Sequence, residues 1–285
     1  MKLWVSESDE SVNQLSKRLL DFYNDPGQRY NAFEGESKLD GYWEEVARRI
    51  EELASDERRG GDPVRVLEIG AGRTGFPRFM QGRRGQMLFV AQDVTTRNAD
   101  HLQQVADGVH LGDLESCRGE FDVIFSTFVW EHIPRPVEAL EEMLRLLAPG
   151  GSLFLFSPRY DALGYVPPAL RHLSWAESIA ASSRLHAARW RSFFRGTCDF
   201  FIVSDPAVFN CTAWFRDADA VHLVSRRDLR NYAKRRGLVV RDCWPRHEKM
   251  RYTVLEYLTK LCVEVRHRQR GPLAAAKHDR SKACG

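Results

Sequence analysis

The 285-residue sequence contains no long run of apolar residues. No window approaches the roughly 18 uncharged apolar residues that a membrane-spanning helix needs. The N-terminal stretch MKLWVSESDESVNQ turns acidic before the apolar core of a signal peptide can form. We therefore expect a cytoplasmic protein without a membrane-spanning segment.

The sequence also lacks paired cysteines and internal repeats. Its six cysteines lie far apart, with no CxxC pair and no histidine pair at zinc-finger spacing, which predicts reduced thiols and no metal site. The lack of a repeat of about 20 to 50 residues excludes solenoid and propeller folds. The composition is globular, with 43% hydrophobic and 28% charged residues, and this excludes disorder over most of the chain.

The net charge of +3 comes from the C-terminus. Residues 263–285 hold six Lys or Arg residues against two acidic residues, so the rest of the chain carries a charge of about −1. This segment is rich in Gly, Pro, Ala and Ser and predicts a basic, disordered tail. Because the remaining chain has no excess of positive charge, we expect no nucleic-acid partner.

Short apolar runs alternate with helical patterns from residue 64 onwards. The runs VRVLEI, QMLFVAQ, FDVIFSTF and GSLFLFS are bounded by Gly, Asp or Pro, as expected for parallel strands buried on both faces. Residues 1–60 predict an N-terminal helical segment that includes a helix over 40–54. The alternation stops over 161–224, which we interpret as an insertion, and resumes with the helix SRRDLRNYAKRRG and the strand LVVRDCW.

The segment VLEIGAGRTGFPRF, residues 66–79, carries the strongest chemical signal. An apolar strand with an acidic residue at its end leads into Gly70, Gly72 and Gly75, a turn at which a ligand can approach the backbone closely. With Asp93 downstream, this spacing also fits the fingerprint of dinucleotide-binding enzymes. The glycine pattern alone therefore leaves more than one cofactor class open.

Three further features favour a cationic cofactor. Glu68 precedes the first glycine by two residues, where a carboxylate would repel a pyrophosphate and suit a sulfonium compound. Asp93 ends the second strand, where it can accept from ribose hydroxyls, and Asp113 ends the next, within reach of an adenine amino group. The run FDVIFSTFVWEHI, followed by the helix and strand EALEEMLRLLAPGGSLFLFSP, is a combination that nicotinamide enzymes do not usually show.

Together these stretches resemble the class I S-adenosylmethionine-dependent methyltransferases, especially the small-molecule branch whose fourth strand leads into an EHI-like turn. The resemblance covers residues 64–160 well and 225–245 weakly. It implies an α/β, Rossmann-like fold: a seven-stranded, mostly parallel sheet with helices on both faces and a helical insertion after strand five. It further implies a methyltransferase domain over 61–262, with 161–224 as an acceptor lid. The sequence departs from the family at Thr74, where the third glycine commonly stands.

The resemblance implies S-adenosyl-L-methionine as the cofactor and a role for each acid. Glu68 would order the methionine end through its ammonium group, Asp93 would accept from both ribose hydroxyls, and Asp113 would accept from the adenine amino group. Each acid taken alone has the alternative role of a strand-end cap or a solvated carboxylate. The predicted cofactor-binding residues are Glu68, Gly70, Gly72, Asp93, Val94, Asp113 and Leu114.

His132 is the candidate catalytic residue. It follows the fourth strand, where the resembling enzymes open their acceptor pocket, and a histidine with a near-neutral pKa can remove a proton from a hydroxyl acceptor. Methyl transfer otherwise requires mainly the positioning of two reactants. The alternative is that His132 caps the turn or hydrogen-bonds at the start of the helix.

The stretch 204–225 would overhang the acceptor site, because ligands bind at the carboxyl ends of the strands in such sheets. Its aromatic, acidic and amide side chains suit a polyhydroxylated acceptor such as a sugar. Asp217, Asp219 and His222 could instead bind a divalent metal ion, which is the less favoured alternative. The predicted substrate-binding residues are Trp130, Trp214, Asp219 and His222.

A basic, Trp-bearing stretch over 168–195 predicts a lid or docking helix above the acceptor site. Tryptophan and arginine on an amphipathic helix also indicate possible peripheral contact with a membrane surface. An ordinary solvated face with aromatics packed on the core is the alternative.

The sequence thus predicts an enzyme that O-methylates a sugar-containing or other small-molecule acceptor, with a small molecule or glycoconjugate as its partner. N- or C-methylation of a small metabolite is the alternative within the same family. A nicotinamide-dependent oxidoreductase and a non-catalytic, methyltransferase-like binding protein are the rivals from other classes.

Overall fold

The computed structural model describes residues 9–27, 35–37, 39–83, 87–161, 167–204, 218–245 and 250–268. Trp214 and Asp217 lie outside these residues, as does the expected basic tail beyond residue 268. Within the described residues, no helix is both long and apolar enough to cross a membrane.

The elements follow an alternating order after two N-terminal helices. The helices are α1 (Glu10–Asn24), α2 (Asp40–Ala54), α3 (Phe76–Phe79), α4 (Ala99–Val105), α5 (Pro136–Leu146), α6 (Trp175–Arg195), α7 (Arg226–Arg235) and α8 (Met250–Thr259). The strands are β1 (Val64–Ile69), β2 (Met87–Asp93), β3 (Gly108–Leu111), β4 (Phe121–Thr127), β5 (Leu147–Pro158), β6 (Leu238–Asp242) and β7 (Lys260–His267). Short 3₁₀ helices cover Glu57–Arg59, Leu114–Ser116, Trp130–His132 and Pro168–Leu170.

The seven strands form one sheet in the order β3-β2-β1-β4-β5-β7-β6. Strands β1 to β5 pair in parallel, and β7 runs antiparallel to both β5 and β6. The predicted seven-stranded, mostly parallel sheet is therefore confirmed. The chain moves outward from β1 to β3 and then returns to the other side of β1 with β4, so the strand order reverses between β1 and β4. Ligands of open α/β sheets bind at the carboxyl ends of the strands beside such a reversal.

Helices cover both faces of the sheet, as predicted. On one face, α2 and the α3 region pack Trp43, Ile50 and Phe76 against the strands. On the other face, the apolar sides of α5, α6 and α7 pack against the sheet through Leu140, Leu185 and Leu229. The strands are accordingly apolar on both sides, which is why they read as continuous hydrophobic runs.

The insertion and the N-terminal helix contact each other away from the main core. Val12, Leu15 and Leu19 of α1 pack against Ile202 and Val221, both of which follow β5 in the sequence. Helix α6 supplies the predicted helical part of the insertion: it begins at a capping box between Ser174 and Glu177 and ends at Gly196, whose φ is 62°.

The expected domain boundary at residue 262 is wrong. Strand β7 continues to His267 in the interior of the sheet, so residues 263–267 belong to the folded domain and not to the tail. The basic charge of residues 263–285 predicts a tail, but the first five of these residues complete β7. Glu264 is buried in this strand and forms ion pairs with Arg241 on β6 and Arg266 on β7.

Phe76→Ala is expected to destabilise the protein by about 3 to 5 kcal/mol, because the ring is fully buried and its loss leaves a cavity. The ring packs against Trp43, Phe89 and Phe125. Urea unfolding measures the loss of stability. The control is Phe194→Ala, at a largely exposed ring, which should change stability by less than about 0.5 kcal/mol. Equal effects of the two substitutions would contradict this packing.

Candidate functional site

Glu68 lies at the carboxyl end of the central strand β1 and is 4% exposed. Burial raises the pKa of Glu68 to about 8, although a hydrogen bond with Thr74 opposes that rise. Its Oε2 atom has no hydrogen-bond partner among the described residues. A buried carboxylate oxygen without a donor favours an incoming cation or hydrogen-bond donor at this position.

The glycine-rich turn after β1 is tight at two points. Gly70 and Gly72 have φ values of 66° and 54°, a left-handed conformation that other residues rarely adopt. A Cβ atom on Gly70 would lie 2.5 Å from Cγ1 of Val129, a residue of the turn after β4. The glycine turn and the turn that carries His132 are therefore in direct contact.

The extra residue in this turn, Thr74, has a structural role. Its side chain is buried, hydrogen-bonds to Glu68 and accepts the backbone N–H of Phe76 at 3.1 Å. Gly75 follows with φ of −101°, so its conformation does not require glycine. A Cβ atom there would lie 2.5 Å from the carbonyl oxygen of Ser37, so the packing of the N-terminal segment requires the third glycine.

Asp93 ends β2 next to the glycine turn and is buried. Its two carboxylate oxygens accept from the backbone N–H groups of Gly72, at 2.7 Å, and Thr95, at 2.9 Å. Burial raises the pKa of Asp93, while these backbone hydrogen bonds lower it. Since a carboxylate can accept about four hydrogen bonds, Asp93 can hold the turn in place and still accept from a ligand.

Gln92, near the end of β2, hydrogen-bonds to the loops that follow β1 and β3. Its Oε1 accepts from the N–H of Gly70 at 3.2 Å, and its Nε2 donates to the carbonyl of Gly112 at 2.7 Å. Asp113 follows as an exposed residue, Leu114 is half-buried, and the apolar Val94 side chain is 37% exposed after β2. The seven residues predicted to bind the cofactor thus lie at the carboxyl ends of β1, β2 and β3.

His132 ends a 3₁₀ turn after β4 and lies between two buried carboxylates. Its Nδ1 is 3.2 Å from Oδ2 of Asp219, and its Nε2 is 3.8 Å from Oε1 of Glu131. Oδ2 of Asp219 also accepts from the hydroxyl of Tyr23 on α1 at 2.7 Å. The arrangement brings together a histidine, a carboxylate and a tyrosine from three separate parts of the chain.

Two hydrogen bonds attach the turn that carries His132 to the end of β5. Phe128 has a φ of 57°, an uncommon left-handed conformation for a residue other than glycine, and its N–H donates to the carbonyl of Phe156 at 2.7 Å. Oε2 of Glu131 accepts from the Ser157 hydroxyl at 2.9 Å. These contacts fix the position of the turn, and therefore of the His132 backbone, relative to the sheet.

Two of the predicted substrate-binding residues are buried structural residues. Trp130 and His222 are each fully buried and pack edge to face with ring centroids 5.3 Å apart. Nδ1 of His222 contacts the carbonyl oxygen of Trp130 at 3.1 Å, and burial lowers the pKa of His222 to about 3. Without exposed surface, neither ring can contact an acceptor, so the sequence-based prediction is wrong for these two residues.

Asp219, which the sequence predicted to bind the acceptor, is also buried. Its carboxylate is 1% exposed and faces His132 and Tyr23. Direct contact of Asp219 with an acceptor was predicted, but its carboxylate contacts His132 and Tyr23 instead. The sequence does not show that residue 219 returns to the turn after β4. A hydrogen bond from the N–H of His222 to the carbonyl of Glu131, at 2.9 Å, makes that return.

Sequence reasoning missed three residues of the site: Tyr23, Thr74 and Gln92. Tyr23 gave no signal, since it lies in a helix whose packing partners are distant in the sequence. Gln92 is a polar residue inside a buried apolar run, and its position beside Asp93 is a signal that could have been noticed.

Comparison with known proteins supports the resemblance. A family model described as "Methyltransferase domain" matches residues 38–242. Tocopherol O-methyltransferase of Arabidopsis thaliana is 24% identical over 204 residues, covering 61% of this chain and 58% of that protein. Ubiquinone biosynthesis O-methyltransferase of Pseudomonas aeruginosa (strain LESB58) is 29% identical over 119 residues, covering 39% and 51%. The chain thus spans little more than half the length of these curated relatives.

A solved structure shares the fold over most of its length. The plantazolicin methyltransferase BpumL, in complex with a pentazolic desmethylPZN analog and SAH, superimposes with a TM-score of 0.53 at 12% identity. The match covers 91% of this chain and 99% of that one. At this identity the likeness concerns the fold.

The burial of Glu68 predicts a pH-dependent difference between the wild type and Glu68→Gln. Glu68 is protonated in the folded state up to about pH 8 but ionised above about pH 4.5 when unfolded, so its contribution to stability falls as pH rises between these values. The stability of Glu68→Gln relative to wild type should therefore rise by up to about 1.4 kcal/mol per pH unit. Urea unfolding of both proteins from pH 5 to 8 measures this difference, and a constant difference would contradict the burial of Glu68.

Proposed function

The chain belongs to the methyltransferase domain family, and from this premise we propose that it transfers a methyl group from S-adenosylmethionine to a hydroxyl oxygen of a small-molecule acceptor. The observation that carries the proposal is the contact between His132 and Asp219 beside the glycine turn. A carboxylate at this distance would orient the imidazole as a base beside the glycine turn, where we expect the cofactor and the acceptor to meet.

The residues at the ends of β1 and β2 fit this cofactor. The unpartnered Oε2 of the buried Glu68 suits a ligand that carries cationic sulfonium and ammonium groups. Gly70 and Gly72 add no side chains of their own to the turn, and Asp93 offers remaining acceptor capacity to ribose hydroxyls. Val94 follows β2, and Asp113 and Leu114 follow β3, on the side of the glycine turn where we expect adenine to bind. An ionised Glu68 would repel a pyrophosphate, which disfavours the nicotinamide alternative, whereas Asp93 fits either cofactor.

When bound, S-adenosylmethionine supplies a methyl group on a sulfonium sulfur that leaves as a neutral thioether. Asp219 engages Nδ1 of His132 at 3.2 Å, so Nε2 is the nitrogen that would take the proton from the acceptor hydroxyl. Loss of this proton would prepare the acceptor oxygen to receive the methyl group that the bound cofactor supplies. Asp219 and Glu131 both lie beside the ring and stabilise the imidazolium that forms. Tyr23 holds Asp219 in position.

Transfer to oxygen is supported by two observations. A histidine paired with a carboxylate suits an acceptor that must lose a proton, and both curated relatives described above are named O-methyltransferases.

A sugar-containing acceptor is the finer proposal. Because Trp130 and His222 are buried, Trp214 is the main residue that supports it. A panel of phenols, glycosides and amines, assayed by release of S-adenosylhomocysteine, distinguishes these acceptor classes. Methylation confined to amines would contradict the proposal.

Asp93→Asn should weaken S-adenosylhomocysteine binding by about tenfold or more, because a hydrogen bond to a charged group contributes about 1.5 to 3 kcal/mol. Isothermal titration calorimetry measures the affinity. Asp107→Asn is the matched control, since Asp107 accepts the N–H of Phe89 at 2.8 Å away from the carboxyl ends of the strands. Tight binding of NAD by a wild type that does not bind S-adenosylhomocysteine would overturn the cofactor assignment.

His132→Ala should lower kcat by about a hundredfold or more and leave S-adenosylhomocysteine affinity unchanged, as expected for loss of a general base. Added imidazole should restore part of the rate, an effect that a purely structural role would not produce. Turnover is measured with the best acceptor of the panel. An unchanged kcat, or a loss of activity that imidazole does not rescue while the protein stays folded, would show that His132 is structural.

Asp219→Asn and Tyr23→Phe test the positioning of the base. Asp219→Asn should lower kcat more than Tyr23→Phe, because it removes the charge beside Nδ1, whereas the phenylalanine removes one hydrogen bond of about 1 kcal/mol. Both should leave KM for the cofactor nearly unchanged. A larger effect of Tyr23→Phe on kcat would contradict this order of roles.

A further inference from the structure

The outer face of α6 is aromatic although it is exposed. The helix packs on the sheet through Ala181, Leu185, Arg189 and Ser192. On the remaining surface, Trp175 is 82% and Phe194 78% exposed. Large exposed apolar patches mark interaction sites. The exposed apolar residues of this face, called here the α6 aromatic face, are Trp175, Ile179, Trp190, Phe193 and Phe194.

Arginines border the α6 aromatic face. Arg184, Arg191 and Arg195 are exposed and spaced seven and four residues apart, which places them on one side of the helix. Among the described residues, no carboxylate forms an ion pair with any of the three. From α7, the guanidinium of Arg227 lies over the rings of Trp190 and Phe193, 5.3 and 4.5 Å from their centroids. The face therefore combines stacked aromatics with uncompensated positive charge.

A second exposed apolar helix lies nearby. Arg226, which precedes Arg227, lies over the ring of Tyr257 on α8 at 4.4 Å from its centroid. Consecutive arginines at the start of α7 thus contact α6 and α8. The exposed apolar residues of α8 are Val254, Leu255, Tyr257 and Leu258.

Both helices are attached at the edge of the sheet that carries the candidate site. The guanidinium of Arg189 on α6 donates to the carbonyls of Tyr160, at 2.5 Å, and Leu223, at 2.6 Å. Tyr160 follows the end of β5, and Leu223 is four residues from Asp219. At the end of α8, the carbonyl of Thr259 accepts from the N–H of Arg159 at 2.9 Å.

We propose that the α6 aromatic face, with α8 beside it, docks onto the surface of an anionic lipid bilayer. Tryptophan and phenylalanine partition to the boundary between headgroups and acyl chains, while bordering arginines bind anionic headgroups. A second copy of this chain is a poorer occupant, because a two-fold interface brings identical faces together and so confronts two rows of arginines. Docking would place the acceptor site next to the bilayer, and it extends the proposed function to acceptors that partition into lipid.

Vesicle co-sedimentation tests the proposal directly. The full chain should bind phosphatidylcholine vesicles that contain phosphatidylglycerol and should bind vesicles of phosphatidylcholine alone much more weakly. High salt should release it. Arg191→Gln/Arg195→Gln should weaken binding about 25-fold, since each basic residue near an anionic surface contributes about fivefold. Trp190→Ser/Phe194→Ser should also weaken binding.

Lys17→Gln/Arg58→Gln is the matched control. It removes the same charge from exposed residues on α1 and on the 3₁₀ helix Glu57–Arg59, and it should bind vesicles like the wild type. Urea unfolding and S-adenosylhomocysteine calorimetry confirm that the variants are folded. Lack of vesicle binding at low salt, or equal loss in the control, would overturn the proposal.

Sedimentation equilibrium tests whether a second copy of this chain binds the α6 aromatic face instead. A dimer that Trp190→Ser/Phe194→Ser dissociates, in a protein that does not bind vesicles, would assign the α6 aromatic face to a second copy and overturn membrane docking. Because vesicle binding is measured without acceptor or cofactor, failure of the proposed methyl transfer would leave the docking result unaffected.

Discussion

Burial of the Glu68 carboxylate at the end of the central strand costs free energy, and no described residue donates a hydrogen bond to its Oε2. β1 lies between β2 and β4, so Glu68 lies in the middle of the sheet, next to the glycine turn, with 4% of its surface exposed. Thr74 hydrogen-bonds to Glu68, and the neighbouring Asp93 accepts from the backbone N–H of Gly72. A cationic group bound beside Glu68 would offset the cost of burial, so the proposed function requires a positively charged ligand at this position.

The acceptor half depends on contacts between segments that are distant in the sequence. Helix α1 reaches the site with Tyr23, whose hydroxyl meets Asp219, and Asn24, whose Oδ1 accepts from the hydroxyl of Thr95 at 3.0 Å. Thr95 donates its backbone N–H to Asp93. One helix end thus contacts both the loop of the proposed ribose-binding acid and the carboxylate beside the proposed base. Movement of α1 would alter both halves together.

The sequence predicted the features that local patterns encode. Buried parallel strands are continuous apolar runs, and the glycine turn has its own spacing, so the central sheet and the position of Glu68 and Asp93 followed from residues 64–157. Three features depended on contacts between distant residues and could not be predicted. The roles of Trp130 and His222 depend on their burial, and the role of Asp219 depends on contacts that include a hydrogen bond from the distant Tyr23. The end of β7 lies in the basic segment that predicted a tail, and its place in the sheet depends on pairing with β5 and β6.

The central claim is that the buried carboxylate of Glu68 receives the cationic end of S-adenosylmethionine. Calorimetric titration near pH 7, repeated in two buffers with different ionisation enthalpies, measures the protons exchanged on binding. Since the pKa of Glu68 is about 8 without ligand, the wild type should release close to one proton as the cation lowers that pKa. Glu68→Gln should bind more weakly and release none. Binding by the wild type without proton release, or equal release by Glu68→Gln, would contradict the account.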